Sequence, residues 1–303
     1  MTNYRYSLSK QGKHICPKCN KKTFVLYINN ATSEPLHSAV GKCDRADKCA
    51  HHYPPKQYFL TNKIIGANWN AVMPSHKHIP KKQRIPSYVN CDLLQKSMNM
   101  YYKNDFVQYL LKIFGEQAAR QAIKRYLIGT SKVWGGATVF WQIDYLWRIR
   151  TGKIMQYNSE TGKRIKQPIS KISWVHSVLK LQDFSLAQCF FGEHLLRGND
   201  KPVAIVESEK TAIIASIFLP EIIWLACGGS EGLNINKCQV LQGRNVILFP
   251  DCNMFDKWHK KAQELSLICN ISVSDLIETV ATEAQREQGY DLADYLVSIY
   301  RKQ

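Results

Sequence analysis

From residue 202 onward the chain alternates short apolar runs with polar stretches in the rhythm of a βαβ series. Val203-Ala204-Ile205-Val206 and Val246-Ile247-Leu248-Phe249 are rich in β-branched residues, and each leads to a carboxylate, Glu207 in the first case and, past Pro250, Asp251 in the second. Unbroken apolar runs of this length are the pattern of strands buried on both faces, as in a parallel sheet. Between them Ser208 is placed to cap a helix over 209–218, residues 222–226 read as a strand, and Cys227-Gly228-Gly229-Ser230 reads as a turn. Beyond Asp251 the pattern predicts a helix over 256–268, a strand over 271–273 and an amphipathic tail from Asp291. Sites in open α/β sheets form outside the carboxyl ends of the strands, so Glu207, the Gly228-Gly229 turn and Asp251 are expected on one rim. Two carboxylates there would hold a hard divalent cation, Mg or Mn, through oxygen, with waters and substrate phosphates as its other ligands.

Upstream the periodicity is different. Amphipathic helices are predicted over 91–100, over 105–114, where Gly115 ends the turn, and over 117–126. Strands follow over 137–144 and 147–157, joined at Asp144-Tyr145, and residues 189–196 lead into the βαβ series. Residues 61–90 have no periodicity and carry Pro74, Pro80 and Pro86 among Lys77, Lys81, Lys82 and Arg84, which marks a linker. Nearer the start, residues 23–28 read as one arm of a hairpin that turns near Asn29-Asn30. The pattern therefore divides the chain into 1–60, a linker over 61–90, a helical element with a β-rich lobe over 91–198, and a parallel-sheet domain over 199–303. The fold class is α/β.

Cysteine spacing changes the picture of the first segment. Cys16-Pro17-Lys18-Cys19 is a C-x-x-C knuckle, and Cys43 and Cys49 supply a second, looser pair. Two intervening residues let both sulfurs of a knuckle turn toward one tetrahedral metal, so a structural zinc held by Cys16, Cys19, Cys43 and Cys49 is expected, with His51 and His52 as second-rank ligands. About 60 residues of this composition need a metal to fold. The competing reading is four buried thiols. Cys91, Cys189, Cys227, Cys238, Cys252 and Cys269 are scattered and are expected to fill cores.

Charge divides the chain in the same place as topology. Residues 201–303 carry 10 Lys and Arg against 13 Asp and Glu, a net −3, which leaves 31 against 11, a net +20, in residues 1–200 of a chain whose total is +17. A basic region beside a slightly acidic α/β domain fits phosphate-backbone binding next to a metal site; a solvated basic surface is the alternative. No apolar run approaches the roughly 20 residues that span a bilayer and the N-terminus has no apolar signal core, so a membrane is excluded as partner and a cytoplasmic location is expected.

Val206-Glu207-Ser208-Glu209-Lys210-Thr211-Ala212, Ala226-Cys227-Gly228-Gly229 and Phe249-Pro250-Asp251-Cys252-Asn253 together resemble the toprim domain of bacterial-type primases, topoisomerases and some nucleases, and most closely the primase-like proteins of bacterial mobile elements. The resemblance implies a Rossmann-like C-terminal domain in which Glu207 serves acid/base chemistry and metal binding and Asp251 opens an Asp-x-Asp magnesium motif. Here the second position of that motif is Asn253, a neutral and weaker ligand, and Asp256 is a candidate substitute. Zinc module, middle region and toprim follow one another as in primases. The resemblance further implies that basic residues of the lobe, Arg148, Arg150, Lys153, Lys163, Arg164 and Lys166, line a groove for template and nucleotide, with Lys210 beside the acids. It implies primer synthesis on single-stranded DNA as the leading function, with nucleotides as substrates and a helicase or relaxase as partner. The alternatives are a non-catalytic DNA-binding accessory protein with a decayed site, which Asn253 favours, and a toprim nuclease. Topoisomerase chemistry is disfavoured, since no tyrosine stands out as a nucleophile.

Overall fold

The computed structural model describes residues 5–9, 12–45, 48–62, 85–229 and 232–301. Most of the expected linker, 63–84, lies outside the described residues. Residues 1–82 and 83–303 form two compact units, and each is described by itself.

The first unit is an antiparallel sheet of β1 (Tyr6–Leu8), β2 (His14–Ile15), β3 (Lys22–Asn29), β4 (Gly41–Cys43) and β5 (His52–Tyr53), followed by helix α1 (Pro55–Thr61). β3 is the central strand, pairing with β1, β2 and β4. Its interior is the pair Phe24 and Leu26 packed on the cysteines, too little apolar surface to hold a sheet by itself.

The second unit begins with α2 (Cys91–Ser97) and α3 (Asp105–Arg125). α3 is continuous only in outline, because Gly115 at φ 74° and ψ 173° separates the two helices that the sequence predicts on either side of it. β6 (Gly129–Ser131), β7 (Ala137–Ile143), β8 (Ile149–Met155) and β9 (Ile172–Trp174) then form an antiparallel sheet in sequence order, closed by α4 (Val175–Val178). Every residue of β7 is buried. The cause is that both faces are covered: Val139, Trp141 and Ile143 pack with Leu94, Ile154 and Val175, while Phe140 faces Phe106 and the rest of the unit.

The βαβ series follows as β10 (Val203–Val206), α5 (Glu209–Phe218), β11 (Ile223–Ala226), α6 (Ile235–Cys238), β12 (Asn245–Leu248), α7 (Phe255–Leu265) and β13 (Asn270–Val273), with α8 (Leu276–Val280), α9 (Glu283–Gln288) and α10 (Leu292–Tyr300) after it. All four strands are parallel, in the order β11-β10-β12-β13. The fold is thus α/β, as the apolar runs imply. β10 shows why those runs do not alternate: Ala204 and Val206 enter the core with α5 and α10, and Val203 and Ile205 the core with Trp258 and Leu265 of α7. The first of these cores also takes in Phe106, Leu110 and Phe140, so the boundary at residue 198 is a change of topology within continuous packing. Cysteines 189, 227, 238, 252 and 269 are buried as expected, but Cys91 is exposed at the start of α2, where the helix turns its first residue outward.

Asn104 ties the lobe together. Its side chain is fully buried; Oδ1 accepts from the Val107 N–H, capping α3, and from Thr138 Oγ1 on β7, while Nδ2 donates to the Gly129 carbonyl and Thr130 Oγ1 on β6. Asn104→Ala removes a helix cap and strands several buried polar groups, so we expect a loss of about 3 kcal/mol of stability, read by urea unfolding. A loss below about 1 kcal/mol would mean that water replaces the amide there.

Candidate zinc and acidic sites

The four cysteines of the first unit converge. Cys16 and Cys19 sit in the turn between β2 and β3, where Asn20 donates its N–H to the Cys16 carbonyl at 2.9 Å and takes φ 54° to close the knuckle. Cys43 ends β4, and Cys49 follows a turn in which its N–H reaches the Arg45 carbonyl at 2.8 Å. The sulfur atoms lie within 4.8 Å of one another, with Cys16–Cys49 at 3.7 Å and Cys19–Cys43 at 4.0 Å. A tetrahedron of thiolates about 2.3 Å from zinc has edges of about 3.8 Å, so the geometry fits the ion. The histidines are used otherwise: His51 stacks on Phe24, and His52 hydrogen-bonds the Tyr27 hydroxyl.

At the other candidate site, parallel pairing of β10 with β12 brings Glu207 and Asp251 to one rim, each just past its strand. Ser208 caps α5 by accepting the Thr211 N–H, as its position implies, and the Cys227-Gly228 turn folds back so that the Gly228 N–H reaches the Glu207 carbonyl. Two further carboxylates join from the C-terminal segment. Asp291 caps α10 with one oxygen and with the other accepts from Thr211 Oγ1 at 3.0 Å and pairs with Lys210 Nζ at 3.3 Å; Asp294 lies 3.5 Å from the same ammonium. Burial, together with the charges of Asp291 and Glu207, pushes the Asp251 carboxyl well above the usual range, and burial beside Asp291 raises Asp294 as well. Burial alone would lower the Lys210 amine, but Asp291 and Asp294 outweigh it and hold the amine protonated.

The second position of the expected Asp-x-Asp motif does not take part in this cluster. Asn253, at φ 66°, directs its amide at the Arg286 carbonyl 3.5 Å away, and Asp256 is exposed on the first turn of α7. Among the described residues the only group of three or more potential ligands within 4.8 Å is the cysteine set, so the carboxylates stand further apart than a closed metal cage. Their oxygens suit Mg²⁺ or Mn²⁺ all the same, since such ions keep several waters and need only one or two carboxylates alongside substrate phosphates.

The basic residues separate into three groups. Lys153, expected to line a groove, is instead buried in β8, bonded to both Glu209 oxygens at 3.0 and 3.1 Å and to the Gly228 carbonyl at 3.1 Å. Arg148 and Arg150 each donate through Nε to the buried Asp144, whose carboxyl is lowered because hydrogen bonds from the Arg148 N–H and both guanidinium groups outweigh its burial. Lys163, Arg164 and Lys166 are exposed along a short hairpin, fastened where Gly162 lies against Tyr109: a Cβ there would meet the ring at 2.5 Å. Tyr109 in turn feels the charges of Lys210, Asp294 and Asp291, so this hairpin is held beside the acids. A cleft of about 640 Å³ lined by Arg150, Cys189, Glu193, Asn234 and Lys237 adjoins the lobe.

Comparison with known proteins adds the following. Residues 4–64 match the family model of a zinc beta-ribbon finger, and residues 104–252 match one described as a domain of unknown function, DUF6371. Over residues 4–64 the first unit, with its four converging cysteines, is similar to a zinc ribbon. No curated protein matches the chain. Similar solved structures include the primase fragment of the bacteriophage T7 primase-helicase protein (11% identity, 98% of this chain and 97% of that one, TM-score 0.42) and the E. coli primase catalytic core (13% identity, 70% and 82%, TM-score 0.41). A structure of the DnaG catalytic core gives 14% identity over 70% and 83%, with a TM-score of 0.40. At such scores a likeness carries no argument for this chain.

Two outcomes are expected. The protein should hold one zinc per chain by metal analysis, and Cys16→Ser should lose it and unfold residues 5–62, because the ribbon's few apolar residues leave the metal as its main source of stability. At the acidic rim, a carboxyl raised by folding costs stability as pH rises above its unfolded value of about 4, where the unfolded chain ionises and the folded one does not. Asp251→Asn should therefore raise the Tm at pH 7 in metal-free buffer, and the gain should vanish below about pH 4; an equal gain at both pH values would contradict the assigned electrostatics.

Proposed function

We propose that the chain is a primase-like protein that binds single-stranded DNA in its second unit and joins nucleotides at a toprim site made by Glu207 and Asp251. The observation that carries this reading is the parallel register of β10 and β12, which sets two carboxylates from the toprim-like motifs on one rim, next to a helix N-terminus and a basic hairpin. In the proposed reaction a primer 3′-hydroxyl attacks the α-phosphorus of a nucleoside triphosphate, the new P–O bond forms and pyrophosphate leaves. A divalent cation bound at the rim would acidify the hydroxyl and offset charge on the triphosphate. Glu207 and Asp251 would hold that cation, with Asp291 and Asp294 in reserve behind Lys210. Lys163, Arg164 and Lys166 would hold phosphates, and the ribbon would contact template, as its Lys18, Lys21 and Lys22 permit. A helicase or relaxase would be the natural partner for such an activity.

A second reading is favoured by one specific arrangement. Asn253 is turned toward Arg286, and the Lys210 ammonium already balances Asp291 and Asp294, which suits a protein that binds DNA without synthesis. Incubating the full chain with labelled nucleotides, single-stranded DNA and Mg²⁺ or Mn²⁺ separates the two. New oligonucleotides lost in Asp251→Asn support synthesis; DNA binding without products supports the second reading; shortened template would point to a nuclease.

A further inference from the structure

The turn joining β7 to β8 carries an anomaly. Trp147 donates its N–H to the Asp144 carbonyl at 2.8 Å, Asp144 donates its own to the Arg148 carbonyl at 3.0 Å, and Trp147 takes φ 63°. This is a tight turn followed by one left-handed residue, a position that glycine or asparagine fills at little cost and that a bulky residue occupies only under strain. Nothing in the turn's hydrogen bonding calls for an indole, since the Asp144 side chain already fixes it by accepting from the Leu146 and Arg148 N–H groups. Strain that persists in such a well-determined turn points to a use.

We propose that this tip, Tyr145-Leu146-Trp147 beside Arg148, is a base-stacking platform for single-stranded nucleic acid. Three consecutive large apolar side chains stand in solvent there, Tyr145 at 38%, Leu146 at 55% and Trp147 at 53% exposure, where a turn is ordinarily polar. The platform is rigid: the Tyr145 N–H is held by the Glu193 carboxylate at 3.1 Å, and the Trp147 ring meets His194 edge-on at 5.4 Å. Cations flank it. Arg148 and Arg150, both aligned by Asp144, lie 5.0 and 5.1 Å from the centre of the Tyr88 ring. Stacking faces interleaved with guanidinium groups are what bound single strands require, and every base offers a π-face, so the contact tolerates any sequence. The charge also selects the occupant, because residues 83–200, which contain the tip, carry 17 Lys and Arg against 8 Asp and Glu, and a polyanion complements them. Arg150 and Glu193, which anchor the tip, also line the cleft of about 640 Å³, as does Lys237.

The proposal rests on the reading of the chain as a single-strand binder, and one experiment tests each separately. Full-length wild type, Trp147→Gly and Trp147→Phe are titrated into fluorescein-labelled oligo-dT and oligo-U, with Tm measured alongside. Glycine relieves the left-handed backbone, so Trp147→Gly should melt at or above the wild-type Tm while binding about tenfold more weakly, and Trp147→Phe should keep most of the affinity. Wild-type affinity in Trp147→Gly overturns the platform and leaves the single-strand reading standing; the exposed trio would then be a protein-contact surface. A Tm that falls together with affinity in both variants makes Trp147 a packing residue and also overturns the platform. If wild type binds neither strand, the platform and the underlying reading fall together.

Discussion

The second unit depends on one buried ion pair. Lys153 reaches from the antiparallel lobe to Glu209, at the start of the helix after β10, and to the carbonyl of Gly228, in the turn after β11. Three pieces of chain separated by 56 and 75 residues are thereby held at one point. Both charges are almost wholly removed from water, so removing either partner would leave the other uncompensated at a cost of about 3–5 kcal/mol. A pair of this kind is valuable for orientation more than for net stability. It sets the lobe against the carboxyl ends of the parallel strands, and with the lobe come the hairpin of Lys163, Arg164 and Lys166 and the Arg-bearing tip. The choice of glycine at 228 fits this: its φ of 85° turns the carbonyl into the reach of the ammonium.

A second cation acts nearby in the opposite sense. Lys210 sits among Asp291, Asp294 and Asp251, a concentration of negative charge that would otherwise repel itself in a poorly solvated place. The ammonium makes the cluster tolerable without an ion. The rim thus carries a cation of its own.

Much of this could be read from local pattern. The four parallel strands, the Ser208 cap, the break at Gly115 and each of the two cysteine pairs follow from residues within a few positions of one another, and neighbour chemistry is what a sequence displays. What local pattern does not display depends on partners far along the chain. Lys153 looks like any other strand lysine, and only its partner 56 residues on shows that it is buried. Asp291 and Asp294 look like the capping residues of an amphipathic tail, and so they are; that their free oxygens turn to Thr211 and Lys210 depends on how α10 packs against α5. Asn253 invites attention through its motif, yet its positive φ carries the amide away from the rim.

The segment just before the βαβ series has a consequence of its own. Phe191 and Ala226 exchange both of their backbone hydrogen bonds at 3.0 Å, so this short antiparallel bridge lies along β11, one of the two edge strands of the parallel sheet. An open strand edge is a template for another chain. By spending a pair of peptide groups on that edge, the connection blunts it against strand addition at the end nearest the acidic rim. The same residues that lead the chain from lobe to sheet thus also help to keep one copy of the protein from joining the next.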